Sequence, residues 1–206
     1  MLPRFIAAVV LISPPAWGKD LSPSEAEALG QRFTEVQKST QTLQAGFEQS
    51  ISFPGMRIPA VSRGVFFYRA PGDLRIDYAE PRGEYFLLRG DTFELSRGER
   101  RPVKRPATDR SARALVALRE ILRGAPDNAG VKMERRVSLV NDEYVVTITP
   151  ANPAPGLPEE IENRIDRDSL LLRSMTVRLP RGATMQFVFS QPRRNAELAA
   201  ELFDAP

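Results

Sequence analysis

The sequence predicts an α+β protein, mainly β: a curved antiparallel sheet of about eleven strands, forming an incomplete, half-open barrel covered by helices. Three observations carry this. The apolar period switches from helical to alternating just after residue 40. Short alternating runs then follow one another with turn residues between them, the pattern of an antiparallel meander and not of βαβ units. Two helical stretches stand beside them, and a sheet this wide must curl or be covered, because open twisted sheets rarely exceed about ten strands.

In chain order, residues 1–18 read as a removable signal peptide. Arg4 precedes the apolar run FIAAVVLI at 5–12, and the small residues Ala16 and Gly18 fit a peptidase site. That run is too short to span a bilayer, which needs about 20 residues. The remainder, 19–206, is expected to be a single exported domain. Residues 22–40 form a helix. Ser22-Pro23-Ser24-Glu25 is a capping box with Pro at the first helical position, and Ala26, Leu29, Phe33 and Val36 make one apolar stripe.

Strands are expected at 43–53, 62–69, 74–79, 84–90, 92–97 and 100–105. A second helix is expected at 109–123, started by Asp109 and ended by Gly124, with apolar residues over a wide arc. Strands resume at 131–139, 142–149, 160–167, 170–179 and 183–190, and 194–202 reads as a short last helix. Arg89-Gly90-Asp91 reads as hairpin turn chemistry. The basic run Arg97, Arg100, Arg101, Lys104, Arg105 and Arg110 reads as a solvated edge strand, with docking of a partner or an anionic head group as the alternative. Glu159, Glu160, Glu162, Asp166 and Asp168 read as surface carboxylates.

Composition narrows the chemistry. The chain has no Cys and no His. Disulfides, the commonest zinc ligands and His-dependent nucleophiles are excluded. The formal charge of +3 is too mild to argue for nucleic acid. No enzyme activity, cofactor or metal is expected. The stretch FFYRAPGDLRIDY at 66–78 is apolar on both strand faces, so periodicity leaves open which face turns inward.

Gly64, Pro71-Gly72, Arg75, Tyr78 and Pro81, with Phe47-Glu48-Gln49 upstream and Leu202-Phe203 ahead of Pro206, resemble the periplasmic outer-membrane lipoprotein carriers, the LolA-like family. The resemblance is densest over 43–95. It implies a periplasmic protein whose half-barrel shelters the acyl chains of lipoproteins between the inner and outer membranes. It also implies an inner-membrane ABC-type transporter and an outer-membrane receptor as partners. Another acylated cargo, such as a glycolipid or polyene, or a role as a lipoprotein sensor, are the alternatives; a monomer is expected.

On this resemblance the cavity would be lined by Phe47, Phe66, Tyr68, Leu74, Ile76, Tyr78, Leu87, Phe93, Leu115, Leu118, Ile121 and Leu122. Arg69, Arg75, Arg100 and Arg101 would contact a lid or partner. Two positions depart from the family pattern. Ala70 stands where an Arg reaches inward to hold the helical lid, and Ile76 where an aromatic is usual. Arg69, one residue earlier, points to the opposite face and cannot inherit that role.

Overall fold

The computed structural model describes residues 18–80, 82–98, 101–109, 112–123, 132–153 and 157–204. The expected signal peptide falls on residues 1–17 and Gly18, so all but its last residue lies outside that description. So do Pro81, Arg100, Gly124 and Pro206, and the side chains at 113, 114, 117, 120 and 121.

The elements are β1 (Lys19–Asp20), α1 (Pro23–Ser39), β2 (Thr42–Ser52), β3 (Ala60–Arg69), β4 (Asp73–Tyr78), β5 (Tyr85–Arg89), β6 (Thr92–Ser96), β7 (Val103–Pro106), α2 (Arg113–Leu122), β8 (Met133–Val140), β9 (Glu143–Pro150), β10 (Glu160–Asp166), β11 (Leu172–Arg178) and β12 (Thr184–Arg194). They form one open antiparallel sheet in the order β1-β8-β9-β10-β11-β12-β2-β3-β4-β5-β6-β7. The long β2 and β12 meet at the centre, so the last strand closes onto the first long one.

Two expectations change. The strand β1 was not anticipated, because two residues carry no periodicity; it is fixed only by pairing with Leu139 and Ser138 of β8. The expected helix at 194–202 is absent. β12 runs on to Arg194, Asn195 takes a left-handed φ of 55°, and a short 3-10 turn follows at Ala200–Phe203. Asn tolerates that conformation because its side chain bonds locally. Here Asn195 Oδ1 accepts from Gln41 N at 2.7 Å and Nδ2 donates to Ser39 O at 3.1 Å, pinning the α1–β2 junction.

Parity assigns the faces. Phe189, Phe47, Gly64 and Tyr78 lie in one row across β12, β2, β3 and β4. Phe66, Tyr68, Leu74, Ile76, Leu88 and Phe93 share that concave face and pack with Ala112, Leu115 and Leu118 beneath α2. On the other half of the same face, Leu29 of α1 packs with Ile165 and Leu170. The convex face carries Tyr85, Leu87 and the fully buried Phe203. Both sheet edges are blunted: β1 has two residues, and β7 (VKRP) is exposed, cationic and ends in Pro.

Gly64 is the close approach in the row. A Cβ there would lie 2.1 Å from Asp77 O and 2.7 Å from the Phe47 ring. Its absence lets Phe47 meet Tyr78 edge-on, with centroids 5.4 Å apart. Gly64→Ala is therefore expected to destabilise by about 1–3 kcal/mol, as overpacking does. Gly30→Ala, in α1 with nothing within 4 Å of the new Cβ, is expected to stabilise by about 0.5–1 kcal/mol through helix propensity. Urea titration of the two variants reads both signs.

Candidate functional site

α1 begins as its sequence requires. Ser22 Oγ accepts from Glu25 N, and Glu25 Oε2 accepts from Ser22 N at 2.7 Å. These hydrogen bonds, with Lys19 alongside, pull the Glu25 carboxyl down to about 2. At the far end Thr40 Oγ1 donates to Val36 O at 2.7 Å. The helix is thus defined at both ends and lays its stripe toward β8–β11. Of that stripe only Leu29 is fully buried; Phe33 and Val36 are half-buried.

Between the stripe and the sheet lies an apolar cavity of about 680 Å³. Its walls include Phe33 of α1, Val137 of β8, Tyr144 and Val146 of β9, Ile165 of β10 and Leu172 of β11. α2 closes it from the other half through Leu118 and Leu122. Strands β8 and β9 are far from α2 in the sheet order, so a shared cavity requires the sheet to curl. Polar residues also line it, among them Asp20, Thr34, Gln37, Thr40, Asn163 and Arg194. Asn163, buried in mid-β10, makes no side-chain hydrogen bond among the described residues. Gln37 Oε1 and Arg194 Nε are buried without a partner among those residues, although Arg194 Nη2 donates to Ser169 O at 2.6 Å. Arg135 and Arg136 stand exposed at the β8 side.

The residues singled out in the sequence divide into four groups. Phe47, Phe66, Tyr68, Leu74, Ile76, Phe93, Leu115 and Leu118 are buried together beneath α2, with Tyr78 and Leu122 packed against them. From that set, Leu118 and Leu122 reach the large cavity. Phe66 borders a side void of about 30 Å³ that shares Leu43, Leu118 and Leu122 with the large cavity. Leu87 lies on the convex face against Phe203 and not in the concave lining, because strand parity puts Phe86 and Leu88 inward. Arg101 is exposed ahead of β7, and the Ile121 side chain and Arg100 lie outside the described residues.

The face-switch argument for Arg69 agrees with its position. Arg69 lies on the convex side, its guanidinium 4.3 Å from the centroid of the Phe203 ring. Arg75 lies over Tyr85 and donates to Leu202 O at 2.8 Å. Arg89 donates to Phe203 O at 3.1 Å and pairs with Asp204. These three cations strap the C-terminal segment to the back of the sheet. Ala70, at the family's inward-Arg position, packs on the α2 cluster. The hold on α2 comes from the helix itself: Arg119 Nη1 donates to Gly90 O at 2.6 Å, and its stem runs beside Gly72.

The residues that sequence reasoning did not select as lining are those of β8–β11 and α1. Their alternation and their stripe were visible. The signal for a shared cavity was not, because it depends on which half of the sheet α1 lies against.

An open, curled antiparallel sheet with helices over an apolar hollow defines a half-barrel. The matching family model, over residues 38–206, is that of the outer membrane lipoprotein carrier protein LolA, and the chain belongs to this family. No curated protein matches the chain. Among solved structures it is similar to an uncharacterized conserved protein from Thermus thermophilus, with 10% identity over 88% of this chain and 94% of that one and a TM-score of 0.56. It is also similar to a DUF1329 family protein from Desulfovibrio piger, with 14% identity, coverage of 89% and 98%, and a TM-score of 0.51. In the Pseudomonas aeruginosa MucA/MucB complex the values are 16%, coverage of 88% and 61%, and 0.53. At these identities the likeness is one of fold.

Two outcomes follow. Arg119→Met is expected to loosen α2 and cost about 0.5–1.5 kcal/mol, the net worth of a typical hydrogen bond. Amide exchange across 115–122 should quicken more than in β9. The second outcome concerns pH. Burial, with Glu84 adding, raises the Tyr78 phenol from 10.0 to about 12, and its hydroxyl donates to Gln49 Oε1 at 3.0 Å. The unfolded chain therefore loses this proton first. The stability that the group contributes is complete below pH 10 and is lost as pH rises through 12. Tyr78→Phe should flatten the fall in urea midpoint across that window, with Tyr85, also raised, accounting for part of the remainder.

Proposed function

We propose that this protein is a periplasmic carrier that shelters the acyl chains of lipoproteins in the cavity beneath α1 as they cross between the inner and outer membranes. The observation that carries the reading is the cavity of about 680 Å³, walled by aliphatic and aromatic side chains from α1, α2 and β8–β11. That size lies within the range of small-ligand sites, roughly 300–1,000 Å³. A buried methylene is worth about 0.8 kcal/mol, so a long acyl chain leaves a membrane for water only if an apolar lining receives it. The carrier needs no covalent chemistry for this, and family membership supports the same reading.

Within the proposed site, Leu118 and Leu122 touch the chain directly. Phe47, Phe66, Tyr68, Leu74, Ile76 and Phe93 form the packed bed on which α2 rests. Partners follow from the family: an inner-membrane ATP-driven transporter to load the carrier and an outer-membrane receptor to unload it. A second reading, carriage of another amphiphile such as a glycolipid, is favoured by Ala70 and by the transfer of the helix hold to Arg119.

The test is titration with an environment-sensitive apolar probe. Val146→Trp, which fills the cavity, is expected to weaken probe binding about tenfold or more while the protein stays folded. Leu74→Ala, in the packed bed with no exposure, is expected to lose about 2–5 kcal/mol of stability and keep probe affinity. The reverse pattern would move the site to the α2 bed. Mass spectrometry of lipid recovered with the protein separates lipoprotein from other amphiphiles.

A further inference from the structure

Residues 53–59, FPGMRIP, join β2 to β3, and Val61 follows at the start of β3. Large apolar side chains stand out of the surface here: Phe53 is 52% exposed, Met56 42%, Ile58 78% and Val61 50%. Such residues scattered singly need no explanation, but a cluster marks a contact surface.

The tip is preformed. Met56 N donates to Phe53 O at 3.0 Å, and Gly55 has φ 89°. Pro54 and Gly55 hold the second and third places of that four-residue turn, which are the residues a type II turn asks for. The tip also overhangs its neighbour. Pairing of β3 with β4 stops at Gly64 and Tyr78, while pairing of β3 with β2 continues to Ala60 and Ile51. The apolar side chains therefore project past the β4 side of the sheet.

The tip itself carries positive charge. No acidic residue occurs from Gln49 to Gly72, and Arg57 sits between Met56 and Ile58. The nearby Glu48 is engaged by Arg63 at 2.7 Å. The adjoining β11–β12 connection adds Arg181, and its Gly182 abuts Pro54, where a Cβ would lie 3.3 Å from the ring.

We propose that this hairpin tip docks on a lipid bilayer with anionic head groups. Phe53, Met56 and Ile58 enter the boundary between head groups and acyl chains, and Arg57 and Arg181 meet phosphates. A convex, overhanging tip with apolar residues interleaved by cations has the pattern of an interfacial element. The inference stands apart from the cavity, so either can fail alone.

The chain has one Trp, Trp17. In the full chain carrying Trp17→Phe, a single Trp placed by Ile58→Trp reports on the tip, and one placed by Val103→Trp, exposed on the edge strand β7, is the control. With phosphatidylethanolamine–phosphatidylglycerol vesicles, the Ile58→Trp emission is expected to shift blue and to be quenched by bromolipid, while the Val103→Trp emission stays put. Arg57→Glu with Arg181→Glu is expected to raise the vesicle concentration at half-shift about tenfold or more. Phe53→Ser with Met56→Ser should abolish the shift. No shift with anionic vesicles, an equal shift at both Trp positions, or an equal response to phosphatidylcholine that ignores the charge reversal would overturn the proposal.

Discussion

A twelve-stranded sheet presents a broad apolar concave face, and this chain covers it with two helices of 17 and 10 residues. Apolar surface is worth about 25 cal/mol per Å² removed from water, so each helix settles where its stripe finds the deepest bed. α2 settles on β3–β6 and buries Leu115 and Leu118. α1 settles on β8–β11 but buries only Leu29. What remains between them is not closed by protein, and the sheet curls until Leu118 and Leu122 of α2 reach the space under α1. The cavity is the residue of that incomplete cover. Its location follows from which helix packs less fully.

The convex face solves a different problem. Phe67, Tyr85 and Leu87 would leave an apolar patch on the back of β3–β5. The C-terminal segment covers it with Leu198, Leu202 and Phe203. Three arginines tie that segment down through its ring and its carbonyls. Arg69 and Arg75 thus act as fasteners of the back, and the inward hold on α2 passes to Arg119. Ala70 packs on the α2 cluster, and a polar bond to α2 originates on the helix, from Arg119. α2 is gripped by its apolar bed, by the Arg119 bond to the Gly90 carbonyl and by contact of the Arg119 and Arg123 stems with Gly72 in the β3–β4 turn.

Much was legible before the structure. Strand boundaries in the meander, the capped α1 and the edge character of β7 follow from period, turn residues and charge, which are local properties. The inward direction of Phe66 and Tyr68 does not: that strand is apolar on both faces, and only the family resemblance, aligned on Pro71, pointed them inward. β1 and the C-terminal turn were not legible: two residues have no period, and the turn exists because Phe203 finds a pocket on the far side of the sheet. Leu87 shows the same limit. In YFLLR both faces are apolar, and only the presence of Phe203 on one side and α2 on the other distinguishes them.

The sequence by itself determined most of the elements, their antiparallel succession, the absence of His- and Cys-based chemistry and the family to which residues 38–206 belong. Tertiary structure alone decided where the hollow lies. Phe47, Phe66, Leu74 and Val137, Val146, Ile165 have similar local patterns, alternating and apolar, and nothing along the chain ranks one set over the other. The first set is filled because α2 lands on it squarely. The second lines a cavity because α1 does not. That difference is a matter of fit between surfaces distant in sequence, which no local period encodes.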